Sequence, residues 1–174
     1  ESPPVLYKYA ISTGDDREIL ERVLTLEPRF HESHYCLGKE ALEANDLYGG
    51  EAHLAMAHEY FPDSLPIVTK LAETVFQMGE LERSLEFYDK ALALAPTDRE
   101  ALLGKAICLS FLTRHDDAML VLHEMIDLGQ WYLGEAHYWL AWNEHELRRI
   151  ERALSYVEQA KKYIPMDTEA RTLS

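Results

Sequence analysis

Glycine and proline are scarce in this chain, at eight and seven of 174 residues, and cysteine is scarcer still, with Cys36 and Cys108 alone. Two thiols make no disulfide framework. They fall two units apart on the register described below, too far for an internal bridge. As free buried thiols they fit a reducing compartment, cytoplasmic rather than periplasmic or secreted, without fixing it. Long apolar runs are missing: none approaches the roughly 20 residues that span a bilayer. A signal-peptide pattern and an initiator Met are missing too, and the opening Glu1-Ser2-Pro3-Pro4 points to a processed or trimmed chain. Basic residues number 17 against 31 acidic ones, for a formal charge of −14. An acidic body repels phosphate backbones and anionic lipid, so nucleic acid and membrane surfaces are poor partners and a neutral to basic polypeptide is a better one.

Catalytic signatures are equally absent. There is no G-x-S-x-G, no phosphate-cradling G-x-x-x-x-G-K and no G-x-G-x-x-G. The nearest approach to H-E-x-x-H is His31-Glu32-Ser33-His34, whose spacing does not put two ligands and a base on one helix face. The abundant carboxylates are what a solvated helical surface carries. The expectation is a non-enzymatic protein with no catalytic residue, no metal site and no cofactor.

What the chain does have is apolar residues, at 47%, and a composition led by Ala, Leu and Glu, which favours helix over strand. It also has a period. Pro28, Pro62 and Pro96 are spaced by 34 residues and then by 34 again. The next step of 34 lands on Gln130, and Pro165 closes the series 35 residues later. Each proline ends an apolar helical stretch that it cannot continue. Units then begin at His31, Leu65, Arg99 and Gly134. In this register position 8 reads Gly38, Ala72, Ala106, Ala141. Position 20 reads Gly50, Ser84, Ala118, Ala153, and position 27 reads Ala57, Ala91, Met125, Ala160. Small residues recur where paired helices must cross closely. Helices are expected at about 4–12, 15–27, 31–45, 48–60, 64–78, 81–94, 98–113, 115–128, 134–147 and 150–163. Asp15, Asp98 and Asp63-Ser64 stand where caps belong, and Gly79 and Gly129 where helices should end left-handed. Pro66 falls in a first turn, where its missing N–H costs nothing.

This pattern resembles the tetratricopeptide repeat family, a 34-residue helix–turn–helix with W-x2-L-G-x2-Y, then A-x3-F, then P. The unit from Leu65 to Asp98 carries it best, with Leu71, Ala72, Val75, Ser84, Tyr88, Ala91 and Pro96. The resemblance covers 31–165, and a partial unit with Leu20, Val23 and Pro28 extends it backward. It implies an all-α fold, an α-solenoid of antiparallel helix pairs in a right-handed superhelix. The whole chain 1–174 is then one repeat domain, with units near 1–30 (partial), 31–64, 65–98, 99–133 and 134–167. There are departures. His34, Val68, Leu102 and His137 replace the aromatic of position 4, Lys105 stands at a leucine position, and Glu144 at one usually apolar. His34 and His137 are expected to pack, with a ring nitrogen bonded locally.

The family binds peptides on the concave side, along the first helix of each pair. Carried over by register, the groove set is Tyr35, Lys39, Leu42, Glu73, Phe76, Leu103, Ile107, Tyr138 and Trp142. Thr69, Ser110 and Phe111 also fall at inward positions, and Glu32, Glu100 and Glu135 form an acidic edge. The resemblance therefore implies a protein-interaction scaffold that holds a peptide or partner helix. A carboxylate-clamp subtype does not fit, since Lys39 is the one inward cation of its region. Two alternatives remain open. One is an assembly module that pairs copies through the C-terminal helix pair. The other is a non-catalytic regulatory domain of a larger protein.

Overall fold

In the computed structural model the described residues are 2–14, 16–129 and 133–163. They form ten helices and, among themselves, no strand. The helices are α1 (Pro3–Thr13), α2 (Arg17–Leu26), α3 (His31–Glu43), α4 (Leu47–Tyr60), α5 (Leu65–Gln77), α6 (Leu81–Leu94), α7 (Arg99–Phe111), α8 (His115–Asp127), α9 (Leu133–Glu146) and α10 (Ile150–Tyr163). Every end lies within two residues of its sequence expectation. Gln130, Pro165 and the tail lie outside the described residues. Two compact units result, Glu1–Leu94 with α1–α6 and Ala95–Ser174 with α7–α10. In the first, α1 packs on α2, α3 on α4 and α5 on α6, while α2 meets α3 and α4 meets α5. In the second, α7 packs on α8 and α9 on α10, and α8 meets α9.

The helix starts are set by short acids. The cap expected at Asp15 is instead Asp16, whose carboxylate accepts from the amides of Glu18 and Ile19; Asp15 itself lies outside the described residues. Asp46 accepts from Gly49 N–H and Asp98 from Ala101 N–H. Ser64 occupies the cap position of α5 with no side-chain bond, and Pro66 lies in that helix's first turn. Each cap satisfies amides that the helix cannot reach by itself.

The turn inside each pair is one repeated device. Asn45, Gly79, Thr113 and Arg148 occupy the same register position, and all four are left-handed, at φ 61°, 82°, 60° and 61°. After each, the next amide reaches back to close the helix: Asp46 to Ala41, Glu80 to Val75, Arg114 to Leu109 and Arg149 to Glu144. This six-to-one closure needs the left-handed residue. Gly79, with no Cβ, adopts it freely and Asn45 tolerates it, whereas Thr113 and Arg148 take it against their preference.

The small positions are where the pairs close. All of positions 8, 20 and 27 are buried. A Cβ on Gly38 would lie 2.8 Å from Leu54 Cγ and 3.2 Å from the Gly50 carbonyl oxygen. The core between the crossings is Leu20, Leu37, Leu54, Leu71 and Val75 in the first unit, and Leu102, Leu109, Leu122, Met125 and Leu140 in the second. Cys36 and Cys108 are both buried thiols, and they form no disulfide with each other.

The position-4 residues pack as expected. His34, Val68, Leu102 and His137 are all buried. His137 Nδ1 bonds the Leu133 carbonyl at 2.6 Å, and His34 Nε2 bonds the Pro28 carbonyl at 3.1 Å. Glu144 is buried within reach of two guanidinium groups, Arg149 at 3.5 Å and Arg152 at 3.7 Å. Those partners let a carboxylate stand at an apolar position.

Candidate partner-binding face

In the second unit α9 brings Tyr138, Trp139 and Trp142 onto one side of the helix at i, i+1 and i+4. The end of α7 adds Phe111, and the start of α8 adds His115. The rings form one connected cluster. Trp142 lies 5.6 Å from Trp139, 5.9 Å from Phe111 and 5.8 Å from His115, centroid to centroid. Trp139 lies 5.9 Å from Phe111 and 5.7 Å from Tyr138, both edge-on. Such tilted and edge-on contacts hold aromatic rings in fixed orientations. The outer members remain open: Tyr138 is 53% and Phe111 50% exposed, while Trp139 and Trp142 are half-buried.

A buried polar bridge fixes the cluster from beneath. Asn143 is fully buried. Its amide nitrogen donates to Ser110 Oγ at 2.8 Å and to the Trp139 carbonyl at 2.8 Å. Its oxygen is left to accept from His115 Nδ1 at 2.9 Å. Ser110 Oγ donates in turn to the Ala106 carbonyl. One side chain thus ties α7, α8 and α9 together next to Trp142. A network with every member satisfied is stiff. Ser110, placed at an inward position by the register, is therefore a buried strut of this bridge and no part of an open surface. Two exposed carboxylates, Glu135 and Glu146, lie on α9 on either side of Tyr138 and Trp142. Glu146 also meets His145 Nδ1 at 3.4 Å. Leu103 and Ile107 are half-buried along α7.

The first unit carries its own share of the register set. Tyr35 and Lys39 are half-buried neighbours on α3, with the Lys39 ammonium 5.2 Å from the ring centroid. Glu73 is paired with Lys70 on α5, and Phe76 is half-buried on the same helix. Leu42 leans on Gly50, where an added Cβ would come within 2.5 Å of its Cδ2, so part of its surface serves the α3–α4 crossing. Thr69, another inward position, is buried. Trp139 and Asn143 were not legible as site residues. Trp139 falls at position 6, outside the inward set, and two of the bonded partners of Asn143, Ser110 and His115, lie far away in sequence on other helices.

Among the described residues no three His, Cys, Asp or Glu side chains gather as a metal site. No described helix is long and apolar enough to cross a membrane.

Comparison with known proteins gives the class. Residues 66–98 match the family model of the tetratricopeptide repeat. A crystal structure of MamA superposes with a TM-score of 0.81 at 16% identity, over 94% of this chain and 95% of its own. YrrB, described as a TPR protein with an unusual peptide-binding site, superposes with a TM-score of 0.81 at 15% identity, over 98% of this chain and 89% of its own. At such identities the likeness shows the fold. A stretch of 71 residues, 41% of this chain, is 30% identical to the protein CTR9 homolog of Arabidopsis thaliana and spans 6% of that protein. The chain is thus an all-α, tetratricopeptide-type array of antiparallel helix pairs, with a repeat of that family at residues 66–98. Folds of this class generally serve as non-catalytic scaffolds for protein–protein contacts.

Proposed function

We propose that this chain holds a peptide or partner helix in its concave groove, against the exposed face of α9 and the end of α7, with Tyr138 and Trp142 as anchors and Leu103 and Ile107 alongside. The observation that carries the reading is the five-ring cluster: rigidly bridged from beneath by Asn143, yet open at Tyr138 and Phe111. Large aromatic side chains that are pre-positioned and partly exposed lose little rotamer entropy on binding and desolvate well. By register Tyr35, Lys39, Leu42, Glu73 and Phe76 belong to the same binding set in the first unit. The peptide-binding description of YrrB points the same way.

The favoured partner is neutral to basic. Glu135 and Glu146 flank the aromatic anchors, and the chain carries a net charge of −14. Charge of one sign on the rim selects partners and speeds their approach more than it tightens binding. The role is binding without catalysis. A second reading, a non-catalytic regulatory domain of a larger protein, draws on the CTR9 homolog match, where the shared stretch is a small piece of a long chain.

The test is affinity capture with wild type and with the Tyr138→Ala/Trp142→Ala double variant, both checked for equal helicity. Partners retained by the wild type and lost by the variant support the reading. Partners retained equally by both reject this face.

A further inference from the structure

Two acids bracket the aromatic face of α9. Glu135, Tyr138, Trp142 and Glu146 fall at i, i+3, i+7 and i+11. At the pitch of an α-helix these four lie in one stripe, with Trp139 on its flank. The two carboxylates are three turns apart, about 16 Å along the helix, and both are exposed. Among the described residues Glu135 makes no ion pair, and Glu146 meets only its neighbour His145, at 3.4 Å. Glu135 sits in the first turn of α9, where the helix dipole favours a carboxylate. Glu146 is the last residue of the same helix, where the dipole opposes one. Arg149 and Arg152, just beyond that end, are drawn to Glu144 on the buried side of α9. Glu146 is thus an exposed acid, without a guanidinium or ammonium partner, at a place that helix stability disfavours.

We propose that the partner of this face is a basic amphipathic helix, with cationic side chains eleven residues apart and apolar ones at i+4 and i+7 between them. The inference rests on the aromatic face being the binding face, and it names what that face binds. The spacing of the acids sets the partner's conformation. A helix laid along α9 has the same pitch, so side chains at i and i+11 return to one side after three turns and reach both carboxylates. Those at i+4 and i+7 share that side and cover Tyr138 and Trp142. In an extended chain about 16 Å is five residues, an odd number that turns the two cations to opposite sides. Arginine suits both ends, since its guanidinium pairs with a carboxylate while its plane stacks on a neighbouring ring. The pattern reads the same from either end, so a parallel or an antiparallel helix satisfies it. Apolar anchors in one stripe with charges beyond them are how an amphipathic helix docks on a groove, and Leu103 and Ile107 on α7 line the side of this one.

The probe is a fluorescein-labelled, alanine-based peptide of about 18 residues, five turns, with Arg at i and i+11 and Leu at i+4 and i+7. It is titrated with the full chain and read by anisotropy. A control peptide of identical composition carries its second Arg at i+9, which a helix turns to the far side. An exposed ion pair contributes about threefold to affinity. The control is therefore expected to bind about threefold more weakly than the first peptide. Glu135→Gln/Glu146→Gln is expected to weaken the first peptide about tenfold and to erase the difference between the two. General attraction between a cationic peptide and an acidic body gives neither difference. Trp142→Ala weakens the first peptide at least tenfold. If wild type holds both peptides equally and Trp142→Ala releases both, the face stands and the helical partner is overturned. If the bound peptide ignores Trp142→Ala, the face is rejected and the inference falls with it. No binding of the first peptide up to about 1 mM overturns the inference alone, and leaves the face to the capture experiment with Tyr138 and Trp142.

Discussion

His34 and His53 face each other nitrogen to nitrogen, with their Nδ1 atoms 3.1 Å apart across the α3–α4 pair. His34 Nε2 also contacts the Pro28 carbonyl oxygen, so that nitrogen carries the proton. Its Nδ1 is then an acceptor, and His53 donates from Nδ1. The bond exists with both rings neutral.

Burial first, then the neighbouring His34 and Arg17, hold the His53 imidazole below its ordinary value of 6.5; Glu21 and Asp46 oppose them more weakly. His58 is held down likewise, by burial and then Lys90, against Asp63. An unfolded histidine takes up a proton near its ordinary value, whereas these two resist it when folded. The unfolded state therefore binds more protons as the medium turns acidic. Stability should be full above pH 6.5 and fall as the pH drops below it. Urea midpoints measured from about pH 8 down to 5.5 are expected to decline in the lower half of that range. His53→Gln is expected to flatten the decline.

Asn143 is the strut of the aromatic face. Asn143→Ala strands His115 Nδ1, removes a donor from Ser110 and opens a cavity next to Trp142. Loss of such a buried, fully satisfied amide is expected to cost about 2–3 kcal/mol. Urea unfolding of the variant reads this directly. An effect below about 0.5 kcal/mol would mean that the bridge does not hold α7, α8 and α9 together.

Thr113 is β-branched and left-handed at φ 60°, a conformation that L side chains of this shape adopt only under strain. Its amide N–H bonds the Ser110 carbonyl and the next amide closes the turn onto Leu109. Glycine keeps both bonds. Thr113→Gly is expected to stabilise the chain by about 1 kcal/mol, seen as a higher melting temperature. The same change in a helix interior would destabilise.

Gly38 is a contact residue. Gly38→Ala gains helix propensity of about 1 kcal/mol, but its methyl group meets Leu54 Cγ at 2.8 Å and the Gly50 carbonyl. The carbonyl is backbone and cannot swing aside. A net destabilisation of about 1–2 kcal/mol is expected, with a matching drop in urea midpoint. A neutral result would show that α3 and α4 cross less closely than described.

The periodic prolines and small residues made the helices, the pairing and the buried positions legible, because a recurring crossing demands the same side-chain size at the same place every time. Departures from the period were less legible. Asn45, Thr113 and Arg148 take the left-handed turn that glycine advertises only at Gly79, since the six-to-one hydrogen bond sets the backbone there whatever the side chain. Ser110 and Thr69 occupy inward register positions and are buried. A position number gives a direction on the helix, while exposure depends on what the neighbouring helix brings. His34 was legible as a packing residue, but its partner His53 lies on the opposing helix, where no local pattern points.

The direct test of the binding face is a chemical-shift map. Peptides selected for binding to the full chain from a random library would be titrated into isotope-labelled protein, and the perturbed amides and indoles located. The expected perturbations centre on Tyr138, Trp139 and Trp142 with the end of α7 at Phe111, and Trp142→Ala weakens binding at least tenfold. Perturbations confined to the second helices of the pairs, α4, α6 or α8, with Trp142→Ala without effect, would contradict the account.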